Sequence, residues 1–365
     1  MTLQRDGRRP DPGSPSGFLA GERPTLRPPS APPSPVVALA VAGVLILAFM
    51  ILVLGRWVTG DNFTSTPTGP DPLPAGEKAV LTGLQIAVPL GAAVCLWFWV
   101  GRQWRRDRRL NTTSMFVLSG AMLFFWDMSM NYTSVALFYN SHLFNRGAWA
   151  NDAWPGWTSP NGNLLPEPLL IVPPAYTCLV FIQVMFMLWL LRKARERWPS
   201  LGFYRSLLVI VAGLTVFDTV IEGAVLRTGV YAYPGGIREV TLWAGETYQI
   251  PMTETFFFGG LGLGAITALM HFRNDKGQTL AERGIDRLDI SEPRRQWVRF
   301  FAIFGAVHLS FVLVYTVPNQ WLSTHSDPHP ANYPSYLENG MCASGADQDE
   351  CPGPGVPMPR PADNP

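Results

Sequence analysis

The chain has 365 residues, 47% of them hydrophobic and only 15% charged, with a formal net charge of +1. That charged share is well below the roughly 25% usual for soluble domains, which argues against an ordinary water-soluble enzyme. The basic residues are dispersed in short clusters, which leaves no footprint for nucleic acid, and the apolar residues collect in long blocks, as in a polytopic membrane protein.

Residues 1–35 hold nine prolines among Gly, Ser and Arg. Such a composition buries too little apolar surface to offset chain entropy, so a disordered cytoplasmic arm is expected there. Seven apolar stretches follow, near 36–55, 79–101, 113–138, 169–191, 205–226, 250–272 and 298–317. Each approaches the ~20 residues that a membrane-spanning helix needs. The first run ends without a small-residue cleavage site and is expected to stay as an anchor. The expectation is an all-α polytopic bundle: a seven-helix transmembrane domain over 36–320, then a disordered outer tail over 321–365. No internal repeat is evident, which weakens an inverted-repeat transporter.

Twenty-two of the 28 Lys and Arg fall in the arm, in 102–109, in 192–205 and in 273–299. The positive-inside rule then places the N-terminus in the cytoplasm and the tail outside. Trp57, Trp104, Trp198, Trp297 and Trp321 fall at the expected span ends, as an aromatic belt would. Cys95 and Cys178 lie within spans and read as small hydrophobes. Cys342 and Cys351 fall in the outer tail, either as a disulfide or as two free thiols. No CxxC pair or pair of histidines has metal-ligand spacing, so no metal is expected.

The informative residues are acids inside spans. Asp127 lies in "FFWDMSMNY", Asp218 and Glu222 in "FDTVIE", and Glu254 in "QIPMTE". An ionised acid at mid-membrane costs ~2.5–3.5 kcal/mol even on lenient insertion scales. The bland explanation is an ion pair that fixes packing. Yet all three lysines lie outside the spans and no arginine falls near the middle of one. His308 is the one basic group deep in a span, and a packed core histidine is its ordinary reading.

Residues four apart share a helix face, so Asp218 and Glu222 point the same way, with Thr215 and Thr219 close by. On the third span, Asp127, Asn131 and Ser134 make a similar polar stripe at i, i+4 and i+7. With alternating spans, three helices deliver acids to one cavity in the outer half of the membrane. Two carboxyls in one low-dielectric site resist joint ionisation, which leaves a general acid beside a general base. That pairing suits acid-catalysed rearrangement or cyclisation of a lipophilic substrate arriving from the bilayer. Asp218 and Glu222 are the expected acid/base core, with Glu254 and Asp127 next.

Other signals are weaker. "GGLGLG" (259–264) follows no strand and sits inside a span, so it reads as a close helix approach rather than a dinucleotide fingerprint. Trp126, Tyr132, Phe256, Phe257 and Phe258 form an aromatic cluster that either packs or shields a cationic intermediate. The loop 227–251, rich in Tyr, Trp, Gly and Pro, reads as a structured lid. Trp149, Trp154 and Trp157 in 140–168 suggest a second lid or interfacial anchors.

Together "WDMSMNY", "FDTVIE", "YAYPGG" (231–236) and "QIPMTE" resemble the AveC family, the membrane spirocyclases of avermectin-, milbemycin- and meilingmycin-type macrolide biosynthesis. The resemblance runs from about residue 80 to 320. It implies a bacterial cytoplasmic membrane enzyme without cofactor or metal. Its partners would be membrane lipid and a polyketide macrolide whose dihydroxy-ketone closes to a spiroketal. Some members also dehydrate the ring. Trp126, Asn131, Tyr132, Tyr231, Tyr233 and Gln249, which lie in these motifs, and His308 are the expected substrate contacts. The competing readings are a proton-coupled transporter and a membrane cyclase of the lycopene-cyclase kind, towards which Pro251-x-x-Glu254 faintly points. A retinal protein is excluded, because no span holds a lysine for a Schiff base.

Overall fold

A computed structural model describes residues 34–133, 135–157, 165–323, 325–327 and 333–339. Seven helices in it are long and apolar enough to cross a membrane: α1 Pro35–Thr59, α2 Ala75–Asp107, α3 Thr112–Asn131, α4 Val172–Arg197, α5 Phe203–Leu226, α6 Met252–His271 and α7 Glu292–Ser323. Each coincides with one of the seven expected stretches. Residues 1–33 of the N-terminal arm, Ser134, Cys342 and Cys351 lie outside the described residues.

Local chemistry starts and bends these helices. Proline occupies the first turn of α1, α4 and α7, where its missing N–H costs nothing. Asn111 caps α3 by accepting the Ser114 amide at 2.8 Å. π-Helical turns interrupt α2 at Trp97–Gly101, α6 at Phe256–Leu263 and α7 at Val312–Thr316. The third helix departs most from expectation. It is α-helical to Ala121 and 3-10 from Leu123 to Asn131, after which the Asn131 side chain accepts the Ala136 and Leu137 amides and turns the chain away. Three residues per turn separate positions four apart, so the stripe of Asp127 and Asn131 does not form.

Glycines set the two tightest helix crossings. A β-carbon on Gly43 of α1 would sit 2.1 Å from the Phe301 carbonyl oxygen, and one on Gly305 of α7 2.2 Å from that of Leu39. Likewise Gly259 and Gly260 of α6 press α5 at Asp218 and Thr215, with hypothetical β-carbon contacts of 2.5 and 2.4 Å. The "GGLGLG" stretch therefore does what small residues do between membrane helices.

The bundle core joins α3 to α7 through Phe116, Phe181, Ile210, Leu214, Val307 and Phe311, each side chain contributing ~1.5–3 kcal/mol by burial. A second core lies beneath the loops at the opposite end from the arginine-rich turns, around Trp57, Phe125, Phe138 and Trp149. Outward faces carry exposed Leu45, Ile51, Ile86, Leu90, Val94, Leu208 and Leu313. Such an exterior suits hydrocarbon rather than water.

Two short antiparallel ladders close the loop-capped end. β1 (Phe138–Tyr139) pairs with β2 (Tyr231–Ala232), and β3 (Thr241–Leu242) with β4 (Ile250–Pro251). The lid expected over 227–251 is thus structured, and the Tyr333 hydroxyl ties it down by donating to the Tyr233 carbonyl at 2.7 Å. The expectation of an unstructured tail from residue 321 fails for 333–339. Tyr333, Tyr336 and Leu337 are buried there, and α8 (Ser335–Glu338) packs back on the loops. The aromatic belt also needs one correction. Trp104, Trp198, Trp297 and Trp321 are exposed, whereas Trp57 is buried against Trp149 and donates to the Arg146 carbonyl.

Candidate active site

The bases of α3 to α7 at the loop-capped end enclose a cavity of about 130 Å³ lined by Asp127, Asp218, Glu222 and Glu254. Three helices deliver the acids, and α4, α7 and the loops supply their partners. Helix α5 carries Asp218 and Glu222 one turn apart. Helix α6 begins at Met252, so Glu254 sits in its first turn, where the helix dipole favours a negative charge. The 3-10 end of α3 brings Asp127, and α4 contributes Tyr176 and Gln183 on one face.

Each acid is held by neutral donors. Asp127 accepts from the hydroxyls of Tyr139 and Tyr176 at 2.6 and 2.9 Å. Glu222, partly buried, accepts from Tyr231 and, at 3.0 Å, from Tyr233. Glu254 accepts from Tyr315 and from the Asn319 amide at 2.8 Å. Asp218 is only 1% exposed and accepts from the Gln183 amide at 3.1 Å. Its second oxygen, Oδ2, and the Gln183 oxygen have no partner. Two orphaned acceptors beside one cavity are what a bound ligand hydroxyl or a shared proton would satisfy.

No cation partners these acids among the described residues. The ion pairs there, such as Arg299 with Glu282 and Lys193 with Glu196, gather at the arginine-rich end and in the connections there. Burial and the Glu222 carboxylate push the Tyr231 and Tyr233 hydroxyls upward, which keeps them protonated as donors. The wall is aromatic, with Tyr139, Tyr176, Tyr231, Tyr233, Phe258 and Tyr315 around the acids. Phe258 meets Tyr315 and Tyr176 edge to face at 5.2 and 6.2 Å.

Of the expected substrate contacts, only Tyr231 and Tyr233 line this cavity. The other five have structural duties. Trp126 donates to Nδ1 of His308 at 2.8 Å, so His308 carries its proton on Nε2 and donates to the Ser119 carbonyl at 3.1 Å. Asn131 ends α3, and Tyr132 meets Trp157 edge to face. Gln249 bonds the Tyr233 carbonyl and the Gly245 amide, bracing the lid. Of the aromatic cluster, only Phe258 reaches the cavity. The Trp149 loop is packing too, its indole donating to the Phe125 carbonyl at 2.9 Å.

Sequence reasoning missed Tyr139, Tyr176, Gln183, Tyr315 and Asn319. Gln183 inside an apolar span, and Tyr315 four residues before Asn319, were the available signals. Glu167 was also missed. It is 1% exposed and neither carboxylate oxygen has a partner. Burial, and then the field of Asp127, push its carboxyl well above the usual range.

No group of three or more His, Cys, Asp or Glu among the described residues is arranged to hold a metal ion. Searches of curated proteins and of solved structures gave no match. A sequence profile described as "Spirocyclase AveC-like" matches residues 107–337. That stretch exceeds half the chain and contains every acid of the cavity, so the chain belongs to the AveC-like family of spirocyclases.

Proposed function

We propose that the protein closes a dihydroxy-ketone polyketide macrolide to a spiroketal by acid/base catalysis, with one stereochemical outcome. The observation that carries this reading is the grouping of four carboxyls, held by neutral donors, in a single aromatic-walled cavity. Asp218 and Glu222 form the reacting pair, and Glu254 and Asp127 extend it.

The first hydroxyl adds to the ketone carbon while one carboxyl protonates the ketone oxygen and the other takes the hydroxyl proton, giving a hemiketal. A carboxyl then protonates the hemiketal hydroxyl, which leaves as water. The resulting oxocarbenium is stabilised by the remaining carboxylate and the ring faces of the wall. The second hydroxyl adds, and its proton restores the acid. Both carboxyls return to their starting states, and no cofactor takes part. Positioned acid and base groups typically contribute 10²–10⁴-fold each. The uncatalysed closure is feasible, so the larger contribution is to hold one folded conformer until the ring closes.

We place the protein in the bacterial cytoplasmic membrane as a multi-pass protein; the charge distribution supports its orientation with the acids toward the outer face, since 22 of 28 Lys and Arg lie on the opposite side. A lipophilic macrolide would then arrive through the bilayer. The test is to supply membranes containing the protein with a linear dihydroxy-ketone macrolide. Spiroketal should form faster than in membranes lacking it, and equal rates would overturn the reading. Anhydro product in the same assay would show dehydration as well.

A further inference from the structure

The acid cavity is small for its substrate. At about 130 Å³ it is close to the ~150 Å³ cavity that holds one benzene and below the roughly 300 Å³ at which drug-sized ligand sites begin. A spiroketal has two rings, and the macrocycle adds more. The unreacted body must lie elsewhere.

A second cavity, about 460 Å³, adjoins the first and is lined in part by Glu77, Val80, Leu226, Thr247, Tyr248 and Leu337. Among the described residues Tyr231 lines both, and its hydroxyl donates to Glu222. We infer that this outer cavity binds the body of the substrate, and that Tyr231 is the aperture through which only the keto-diol arm reaches the acids. The inference rests on the spiroketal reading and adds a specificity-determining residue and a binding site to it.

Three observations bear on it. The outer cavity has a ligand-sized volume that the inner one lacks. Its wall alternates aliphatic Val80, Leu226 and Leu337 with Glu77 and Thr247, which suits an apolar carbon chain that carries hydroxyls. The wall is also built rather than incidental. Glu77 accepts from Asn140 and Tyr336, both at 3.3 Å. Gly229 turns there at φ +72°, where a β-carbon would come 2.2 Å from the Glu77 carboxylate. Tyr248 is fixed beneath the Arg227 guanidinium at 4.7 Å.

The aperture has a chemical consequence. While Tyr231 bonds Glu222 the acid chamber is closed toward the outer cavity. A substrate hydroxyl that displaces the phenol takes its place at the carboxylate, so binding and activation of the first nucleophile coincide.

The experiment uses the full-length protein in membranes and two substrates, a macrocyclic dihydroxy-ketone and a short symmetrical keto-diol without the macrocycle. Val80→Trp and Thr247→Trp each place an indole in the outer cavity, away from the four acids of the inner one. For the macrocycle, KM should rise about tenfold or more with kcat within about twofold, the signature of lost uniform binding. For the short keto-diol, kcat/KM should match the wild type. Unchanged KM for the macrocycle in both variants overturns the inference, as does an equal loss for both substrates. A wild type inert toward both substrates overturns the spiroketal reading itself.

Discussion

Gly259 of α6 lies so close to Asp218 of α5 that a β-carbon added to the glycine would come 2.5 Å from the aspartate β-carbon and 2.9 Å from its Oδ2. The same contact that joins the two helices fixes an acid at the cavity wall. Gly259→Ala must push α5 from α6 or rotate Asp218, and overpacking of this kind costs roughly 1–3 kcal/mol. Turnover should fall by at least about tenfold together with the thermal midpoint in detergent. Gly264→Ala is the control. The nearest atom to its added carbon is Ile210 Cγ2 at 3.4 Å, so it should leave both nearly unchanged.

Amide substitutions separate acid chemistry from packing. In Glu222→Gln the Tyr231 and Tyr233 hydroxyls still find an acceptor, and in Asp218→Asn the Gln183 amide does. Each should lower kcat by about 10²–10⁴-fold while membrane insertion and thermal midpoint stay near the wild type. Unchanged rates in both would return these acids to a packing role.

Buried His308 and half-buried Trp126 form a hydrogen-bonded pair away from the cavity. His308→Leu leaves the Trp126 N–H unpaired and removes one of the two donors to the Ser119 carbonyl, the Met122 amide remaining, at a cost of about 1–3 kcal/mol. The thermal midpoint should drop, with kcat within about twofold of wild type at a temperature where both are folded. A large kcat loss at full stability would place His308 back among the reacting groups.

Two glutamates outside the spanning segments give opposite pH slopes. Burial raises the Glu167 carboxyl above its ordinary 4.5, so the folded state binds its proton more tightly than the unfolded one. Stability should fall as pH rises from 4.5 through the folded value, and Glu167→Gln should flatten that slope. At Glu282 burial is outweighed by bonds from Thr279 and the charge of Arg299, so its carboxyl lies below the ordinary 4.5. Its contribution is present above 4.5 and lost as pH falls through the lower folded value. Glu282→Ala strands Arg299 and should cost roughly 3 kcal/mol near neutral pH. Thermal unfolding across pH 4 to 8 reads the first slope, and a more acidic series reads the second.

The seven spans were legible because a bilayer demands long apolar runs and their lengths survive in sequence. The i, i+4 spacing of Asp218 and Glu222 likewise survives any packing of α5. The turn that follows the 3-10 end of α3 was not legible, since an Asn131 side chain that reaches Ala136 and Leu137 leaves no periodic trace. Nor were the partners of the acids. Tyr139 meets Asp127 only through the β1–β2 pairing of two distant loops, and Tyr315 meets Glu254 across α6 and α7. Trp126, Tyr132 and Gln249 flank acids in sequence but turn to other duties, because neighbours in a 3-10 helix or a lid point in different directions.

The central claim is that these four carboxyls and their tyrosines impose one configuration on a ring closure that also proceeds unaided. The direct measurement is the spiroketal epimer ratio formed from a linear dihydroxy-ketone macrolide, resolved by chiral chromatography and mass. Wild-type membranes should give one epimer in large excess, and Asp218→Asn membranes should drift toward the ratio of the uncatalysed control. A wild-type ratio equal to that control would contradict the account.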